Sequence, residues 1–296
     1  MVKLFKPEKL NVATGLPDLA QKIRPARRTG RRSIFSRFHQ LKLRGLISLL
    51  IIAIVWEVAA RTIITNKLAF VPLSTVWAAF LEMVGDGSLW KHAQVSLLEF
   101  GLGFGLAAAA GIAGGMVLGV SRTLRDYLDP VISILYSTPI VALAPLFIVW
   151  FGIGLLSKVV VIFLFVVFPV LINTTTGITT IEKSLLEVGR SFCAGRMQIF
   201  TKILFHAALP YIMAGLRMGV SRGVVAVVVA ELFGTNAGLG LLILESSQTY
   251  NTPTLLVVVI LLAGSGLALA ELFKTLEQWL APWRVTSPDS PKESAI

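Results

Sequence analysis

Two stretches of this chain, residues 100–120 and 131–151, run without a single charged side chain. About 20 apolar residues in helix are needed to cross a bilayer core. Lipid leaves no solvent for unpaired backbone amides, so such runs are stable there only as helices. Four more runs qualify: residues 45–60, 157–173, 207–233 and 255–273. The expectation is an all-α polytopic membrane protein with about six transmembrane helices. Composition agrees, with 55% hydrophobic and 15% charged residues and a mean hydropathy of +0.79. Soluble domains carry about a quarter charged residues, so a water-soluble enzyme is excluded.

The spans are not uniform. Pro139 and Pro145 lie inside the third, whose start is set by Asp129-Pro130, and Pro169 lies near the end of the fourth. Each internal proline removes a backbone donor and kinks a helix; in a membrane the freed carbonyl must be met by neighbours or a lined cavity. The second span carries Gly101 and Gly105, then Gly111, Gly115 and Gly119. That spacing lets two backbones approach closely, and packing within the chain is favoured over a dimer seam. Arg217 and Arg222 lie inside the fifth span, where ionisable groups face protein or water. Two roles remain open for them, a structural ion pair or an anion-facing position on a pathway. Glu231, nine residues beyond Arg222, is reachable only through the bundle, being about 13 Å further along the axis.

Charge orients the chain. Residues 1–44 hold twelve Lys/Arg against Glu8 and Asp18, while the remaining residues nearly balance. The run Arg27-Arg28-Thr29-Gly30-Arg31-Arg32 beside a span marks the cytoplasmic side rather than a nucleic-acid face; an acid-poor, Arg-rich start also suits a transit peptide. Arg122 and Arg125, then Lys183, Arg190, Arg196 and Lys202, lie in alternate loops, whereas residues 234–254 have no base. Both termini are therefore expected inside. No catalytic, cofactor or metal site is expected. Cys193 is the sole cysteine, and His39, His92 and His206 have no ligand spacing.

Residues 174–210 form a long inner loop with a pattern of its own. Leu185, Val188 and Phe192 follow helical spacing, as do Phe200, Ile203 and Leu204. The reading is two short helices joined by a turn at Cys193-Ala194-Gly195, ended by Pro210 where the next span begins. Such a pair can dock in a partner's groove or lie on the membrane surface, and periodicity does not choose.

The residues Glu187-Val188-Gly189, the turn six residues after the Glu, and Leu209-Pro210 resemble the cytoplasmic EAA loop of bacterial ABC-importer permeases. Val71-Pro72-Leu73-Ser74, Leu128-Asp129-Pro130, Thr138-Pro139, Ala144-Pro145-Leu146-Phe147, Ala214-Gly215-Leu216-Arg217, Val229-Ala230-Glu231 and Gly238-Leu239-Gly240 resemble the nitrate/sulfonate/taurine branch of that family. The resemblance implies a type I importer permease core over residues 70–275, with a coupling loop at 174–210. A basic cytoplasmic tail at 1–44, the first span and start of the outer segment at 45–69, and a cytoplasmic tail at 276–296 complete the organisation. It further implies a bacterial inner-membrane location and a homodimer of permeases. Cytoplasmic ATPases on the EAA loops and an extracytoplasmic binding protein that delivers a sulfonate, taurine, nitrate or vitamin precursor are the other partners. In that loop Gly189 stands at the third EAA position, Cys193 where a turn glycine is usual, and Phe205-His206 where Leu-Pro is frequent. Glycine suits a left-handed turn better than cysteine, so the turn is expected to shift to Gly195. The sequence has no GxxxxGKS/T phosphate loop, which puts ATP hydrolysis on another chain. The rival reading is a secondary transporter or channel driven by an ion gradient, which would call for inverted repeats or intramembrane acids.

Overall fold

The structure is a computed structural model that describes residues 34–62 and 70–281, with side chains from residue 47 onward. The expected N-terminal tail up to residue 33, the outer segment at 63–69 and the tail beyond 281 lie outside the described residues. The chain divides into two compact units, Met1–Val55 and Trp56–Ile296. In the first, the described residues are helical and belong to α1 (Ile34–Thr62), which holds the first expected span.

The second unit is built from α2 (Leu73–Gly85), α3 (Ser88–Val120), α4 (Arg122–Ser137), α5 (Ile140–Phe151), α6 (Leu155–Thr179) and α7 (Lys183–Ser191). After these come α8 (Arg196–Leu232), α9 (Leu239–Gln248) and α10 (Thr252–Leu280). Among the described residues no strand occurs. Four helices, α3, α6, α8 and α10, are long and apolar enough to cross a membrane, and α4 with α5 makes a fifth if counted as one broken span.

The centre is α6, flanked by α3 and α8. More than half of the apolar window of α6 and of α8 is buried, against 11% for α10, so α10 is peripheral in this unit. Ala107, Ile162, Val166, Val170, Ala208 and Ile212 form the inner contact. The small residues of α3 explain its closeness. A Cβ on Gly115 would meet Thr174 and the Leu171 carbonyl within 3 Å, and Gly111 and Gly119 are equally tight against Val170 and Ile178. Thr175 Oγ1 donates across the seam to the Gly115 carbonyl at 3.3 Å. The expected packing within the chain therefore holds for these three glycines, whereas Gly101 and Gly105 face open space.

Two expectations about helix breaks are corrected. The third span is not one kinked helix starting at Asp129-Pro130. Helix α4 begins at Arg122 and runs through Pro130, and α4 and α5 meet at 91° across Thr138-Pro139. Pro139 cannot donate, so Ala142 N–H bonds the Pro139 carbonyl instead and opens a new helix. Pro145 lies within α5 without ending it. Pro210 ends nothing either, for α8 is helical from Arg196 onward, with a π-helical stretch at Ile199–Leu204 before Phe205–Leu232. The register change precedes the proline, and Pro210 itself is buried.

Outside these spans, Val71-Pro72-Leu73-Ser74 ties α2 to the end of α1. Glu57 accepts the Ser74 amide at 3.2 Å and the Ser74 hydroxyl at 2.9 Å, while Trp56 Nε1 donates to the Val71 carbonyl at 3.0 Å. Pro72 has no side-chain cap to give, and Glu57 supplies the acceptor that the first turn of α2 needs. Between α2 and α3, Asp86 accepts the Ser88 amide at 2.8 Å, and its hydrogen bonds to Ser88 hold its carboxyl below the usual carboxylate range.

Candidate functional site

Three levels of the second unit carry polar chemistry. At one end, near the starts of α3 and α6 and the end of α8, lies a buried ionic cluster. Lys158 Nζ is 2.6 Å from Glu99 Oε1 and 2.6 Å from Thr235 Oγ1. Glu231 accepts from Ser96 Oγ at 2.6 Å and from the Gly240 amide. The Ser96 oxygen accepts in turn from the Leu239 amide at 2.8 Å. Glu99 and Glu231 are 1% and 0% exposed. Glu231 sits at the first turn of α9, where a helix N-terminus favours negative charge. A Cβ on Gly238 or Gly240 would overlap the Glu231 side chain, which explains Gly238-Leu239-Gly240 as the space and the amide that this carboxylate requires. His92 Nδ1 lies 3.0 Å from both the amide and the carbonyl of Gly238. The cluster binds one end of the bundle together: both oxygens of Glu231 and Oε1 of Glu99 are engaged inside the fold, while Glu99 Oε2 is buried with no hydrogen-bond partner among the described residues.

At the opposite end, α6 passes into α7 and the turn before α8. Cys193 N–H bonds the Arg190 carbonyl at 2.8 Å and Ala194 N–H the Gly189 carbonyl at 3.1 Å, the paired bonds of a Schellman ending. Cys193 itself takes the left-handed conformation, φ 53°. The expected shift to Gly195 is thus corrected: Gly195 is extended, with φ −65°, and begins α8 as its N-cap residue. The two hydrogen bonds to α7 fix the turn position whatever residue stands there. Helix α7 begins at Lys183 with Glu182 before it, which places Glu187 inside the helix. Glu187 is the middle residue of this nine-residue helix and is exposed, followed by exposed Val188. Gly189 is buried, and a Cβ there would meet Ile203 Cδ1, so α7 rests directly on the π-helical stretch of α8. Leu185, Val188, Phe192 and Met197 are exposed around this turn, Phe192 by 83%. Cys193 is exposed and Ala194 half-buried. Leu209 and Pro210 do not reach the turn; they lie further along α8, where Pro210 is buried against the core.

Between these ends lies the break of α4 and α5. A cleft of about 160 Å³ is lined there by Tyr136, Thr138, Pro139, Phe165, Phe168 and Arg222, among others. Arg217, one level nearer α7, has its guanidinium 3.3 Å from Glu277 of α10. The two arginines therefore part company. Arg217 is in an ion pair, whereas Arg222 has no hydrogen-bond or ion-pair partner among the described residues. Glu231 is not its partner, being held by Ser96 and Gly240.

The charged cluster was absent from the sequence reading, which related Glu231 to Arg222 only through the bundle. One signal was available: Glu99 and Lys158 directly adjoin two uncharged runs, and opposite charges at such positions pair when their helices pack. Among the described residues no group of acids, histidines and cysteine is placed to hold a metal ion.

Comparison with known proteins fits this architecture. Residues 101–284 match the family described as binding-protein-dependent transport system inner membrane component. The chain is 33% identical to the putative aliphatic sulfonates transport permease protein of Bacillus subtilis, over 82% of this chain and 88% of that one. It is 30% identical to the taurine transport system permease protein of Escherichia coli, over 80% and 88%. It is 32% identical to the riboflavin transport system permease protein of Chloroflexus aurantiacus, over 81% and 90%.

Proposed function

Since the chain belongs to the family of binding-protein-dependent transport system inner-membrane components, we propose that it is the membrane subunit of an ATP-driven importer. In this reading two copies form the pathway, and an extracytoplasmic binding protein delivers a small solute of the sulfonate, taurine, nitrate or vitamin-precursor class. ATP hydrolysis resides on separate cytoplasmic subunits. Both termini lie inside, so α7 faces the cytoplasm and the Glu99–Lys158 cluster faces outward.

The observation that carries the reading is the α7 turn. A helix pair that exposes Phe192, Met197, Val188 and Leu185 together presents an apolar patch that isolated surfaces avoid and docking surfaces use. The turn is mechanically tied to the pathway, because buried Gly189 seats α7 on Ile203 and α8 continues from there to the cleft at Arg222. An ATPase that pulls on α7 thereby moves α8, and rigid helices transmit the displacement to the break at Pro139. The rival, transport driven by an ion gradient, draws on the buried acids Glu99 and Glu231. Both are engaged inside the fold, which favours a structural role for them.

Cys193 supplies the test, being the only cysteine and exposed. A membrane-impermeant maleimide is expected to label it in inside-out vesicles stripped of ATPase and to leave it unlabelled in intact cells. Adding the ATPase back is expected to protect the thiol. Labelling from outside would overturn the orientation, and labelling without protection would remove the turn from the docking surface.

A further inference from the structure

Ten residues separate Arg222 from the end of α8, about 15 Å of helix and so half the thickness of a bilayer core. An arginine at that depth is costly and is met by a carboxylate, by carbonyls or by a wet cavity. Arg222 is exposed at the cleft: the cavity is present and the carboxylate is not. The residues lining the cleft contain no acid, and Arg222 has no partner among the described residues. Other charges of the spans are engaged: Glu99 by Lys158, Arg217 by Glu277, Glu231 by Ser96 and Gly240. Tyr136 lines the same cleft, and its hydroxyl likewise has no hydrogen-bond partner among the described residues. The Thr138 hydroxyl is committed as a donor to the Ile134 carbonyl at 2.9 Å. Phe165 and Phe168 line the same cleft. The cleft thus offers donors and positive charge against an apolar wall, the complement of a small molecule with an oxyanion at one end and carbon at the other.

We propose that Arg222, with Tyr136 lining the same cleft, binds the oxyanion head of the transported solute at the break between α4 and α5. This rests on the reading of the chain as a permease and narrows it to anions, since a neutral vitamin precursor would leave the guanidinium unmatched. A planar guanidinium engages such a head through two parallel N–H···O bonds, which an ammonium cannot reproduce.

The test uses the purified full-length chain in lipid nanodiscs and ethanesulfonate as probe. Thermal midpoints are read up to about 100 mM, against sodium chloride at equal ionic strength, because a ligand that binds only the folded state raises the midpoint. Ethanesulfonate is expected to raise the midpoint of the native chain. Arg222→Gln is expected to weaken the apparent affinity about tenfold or more, Arg222→Lys and Tyr136→Phe by a few-fold. Arg217→Gln is expected to lower the midpoint yet leave the response to ethanesulfonate unchanged. Should Arg222→Gln fail to fold, Arg222→Lys and Tyr136→Phe decide the matter by the same reading. The proposal is overturned if the native chain shows no sulfonate-specific shift, or if the Arg222 variants respond as it does. It is equally overturned if Arg222→Gln dissociates a dimer of the chain, which would make the residue a subunit contact. Co-purification of an ATPase with the native chain is scored separately. Its absence would count against the importer reading and leave the sulfonate result standing.

Discussion

The two ends of the central helices satisfy their side chains in opposite ways. At the α3–α6–α8 end, Ser96, Glu99, Lys158 and Glu231 are polar, closed to solvent and bonded to one another or to the start of α9. At the α7 end, Leu185, Val188, Phe192 and Met197 are apolar and turned outward. Polar groups facing in and apolar groups facing out invert the usual pattern at both ends, for different reasons. Buried charges survive only where their partners are fixed; here those partners lie within the fold, with Glu99 Oε2 left without a hydrogen bond among the described residues, so the first end is a clasp closed by its own side chains. Exposed apolar groups gain only when something covers them, so the second end is completed by another molecule. Substitutions at the clasp are therefore expected to act on folding and those at α7 on assembly.

The largest effect is expected at Lys158. Lys158→Met would leave Glu99 buried and uncompensated, costing about 3–5 kcal/mol and lowering both the yield of inserted protein and its unfolding midpoint. The double variant Lys158→Met with Glu99→Gln is expected to recover much of that loss, because it removes the charge together with its partner. If the single variant is as stable as the native chain, the clasp is not closed and the contrast between the ends fails.

Glu231→Ala comes next, at about 2 kcal/mol. It removes the acceptor of the Ser96 hydroxyl and of the Gly240 amide, and hydrogen bonds to a charged group contribute about 1.5–3 kcal/mol. Loss of hydrogen-exchange protection in the first turn of α9, at Leu239 and Gly240, would localise the effect. Loss spread evenly over α8 would instead assign Glu231 to the packing of the span.

At the other end the expected effect changes kind. Phe192→Ser is expected to alter the unfolding midpoint little, since exposed positions stay within about 0.5 kcal/mol. It is expected to weaken ATPase capture about tenfold, as aromatic anchors dominate docking surfaces. Glu187→Lys should act in the same direction on uptake while leaving the permease inserted. A Phe192 variant that unfolds more readily but still captures the ATPase would exchange the roles assigned to the two ends.

What the sequence disclosed follows from which interactions are local. Helices α3, α6, α8 and α10 were legible because each apolar run is sufficient by itself to define a span. The 91° turn at Thr138-Pro139 was not, since a proline announces a lost donor and says nothing of the angle that packing then selects. The clasp was hidden for a related reason: Lys158 is 59 residues from Glu99, and Ser96 is 135 residues from Glu231. Each charge alone reads as a group near a membrane surface, and only the packing of α3, α6 and α8 makes them one cluster. Arg217 and Arg222 looked alike in the sequence, and it is α10, through Glu277, that distinguishes them.

The smallest effect is expected at Cys193, and it decides where the α7 turn is made. A non-glycine residue in the left-handed region bears a steric cost of about 1–2 kcal/mol from its Cβ, and Cys193 sits there at φ 53°. Cys193→Gly removes that cost but gives the unfolded chain more freedom, so the net gain is about 0.5–1 kcal/mol. The gain should appear locally, as slower exchange of the Ala194 amide that bonds the Gly189 carbonyl, rather than as a higher global midpoint. Gly195→Ala is the counterpart. Gly195 has an ordinary φ of −65° and no heavy atom closer than 4.0 Å to a new Cβ, so alanine should bring no backbone strain there, only the loss of about 0.5–1 kcal/mol from an alanine at the N-cap. If Gly195→Ala destabilises the turn by more than that while Cys193→Gly leaves the Ala194 amide unchanged, the left-handed residue is Gly195. Cys193 would then leave the turn, and the surface offered beside Phe192 would be built on a different backbone.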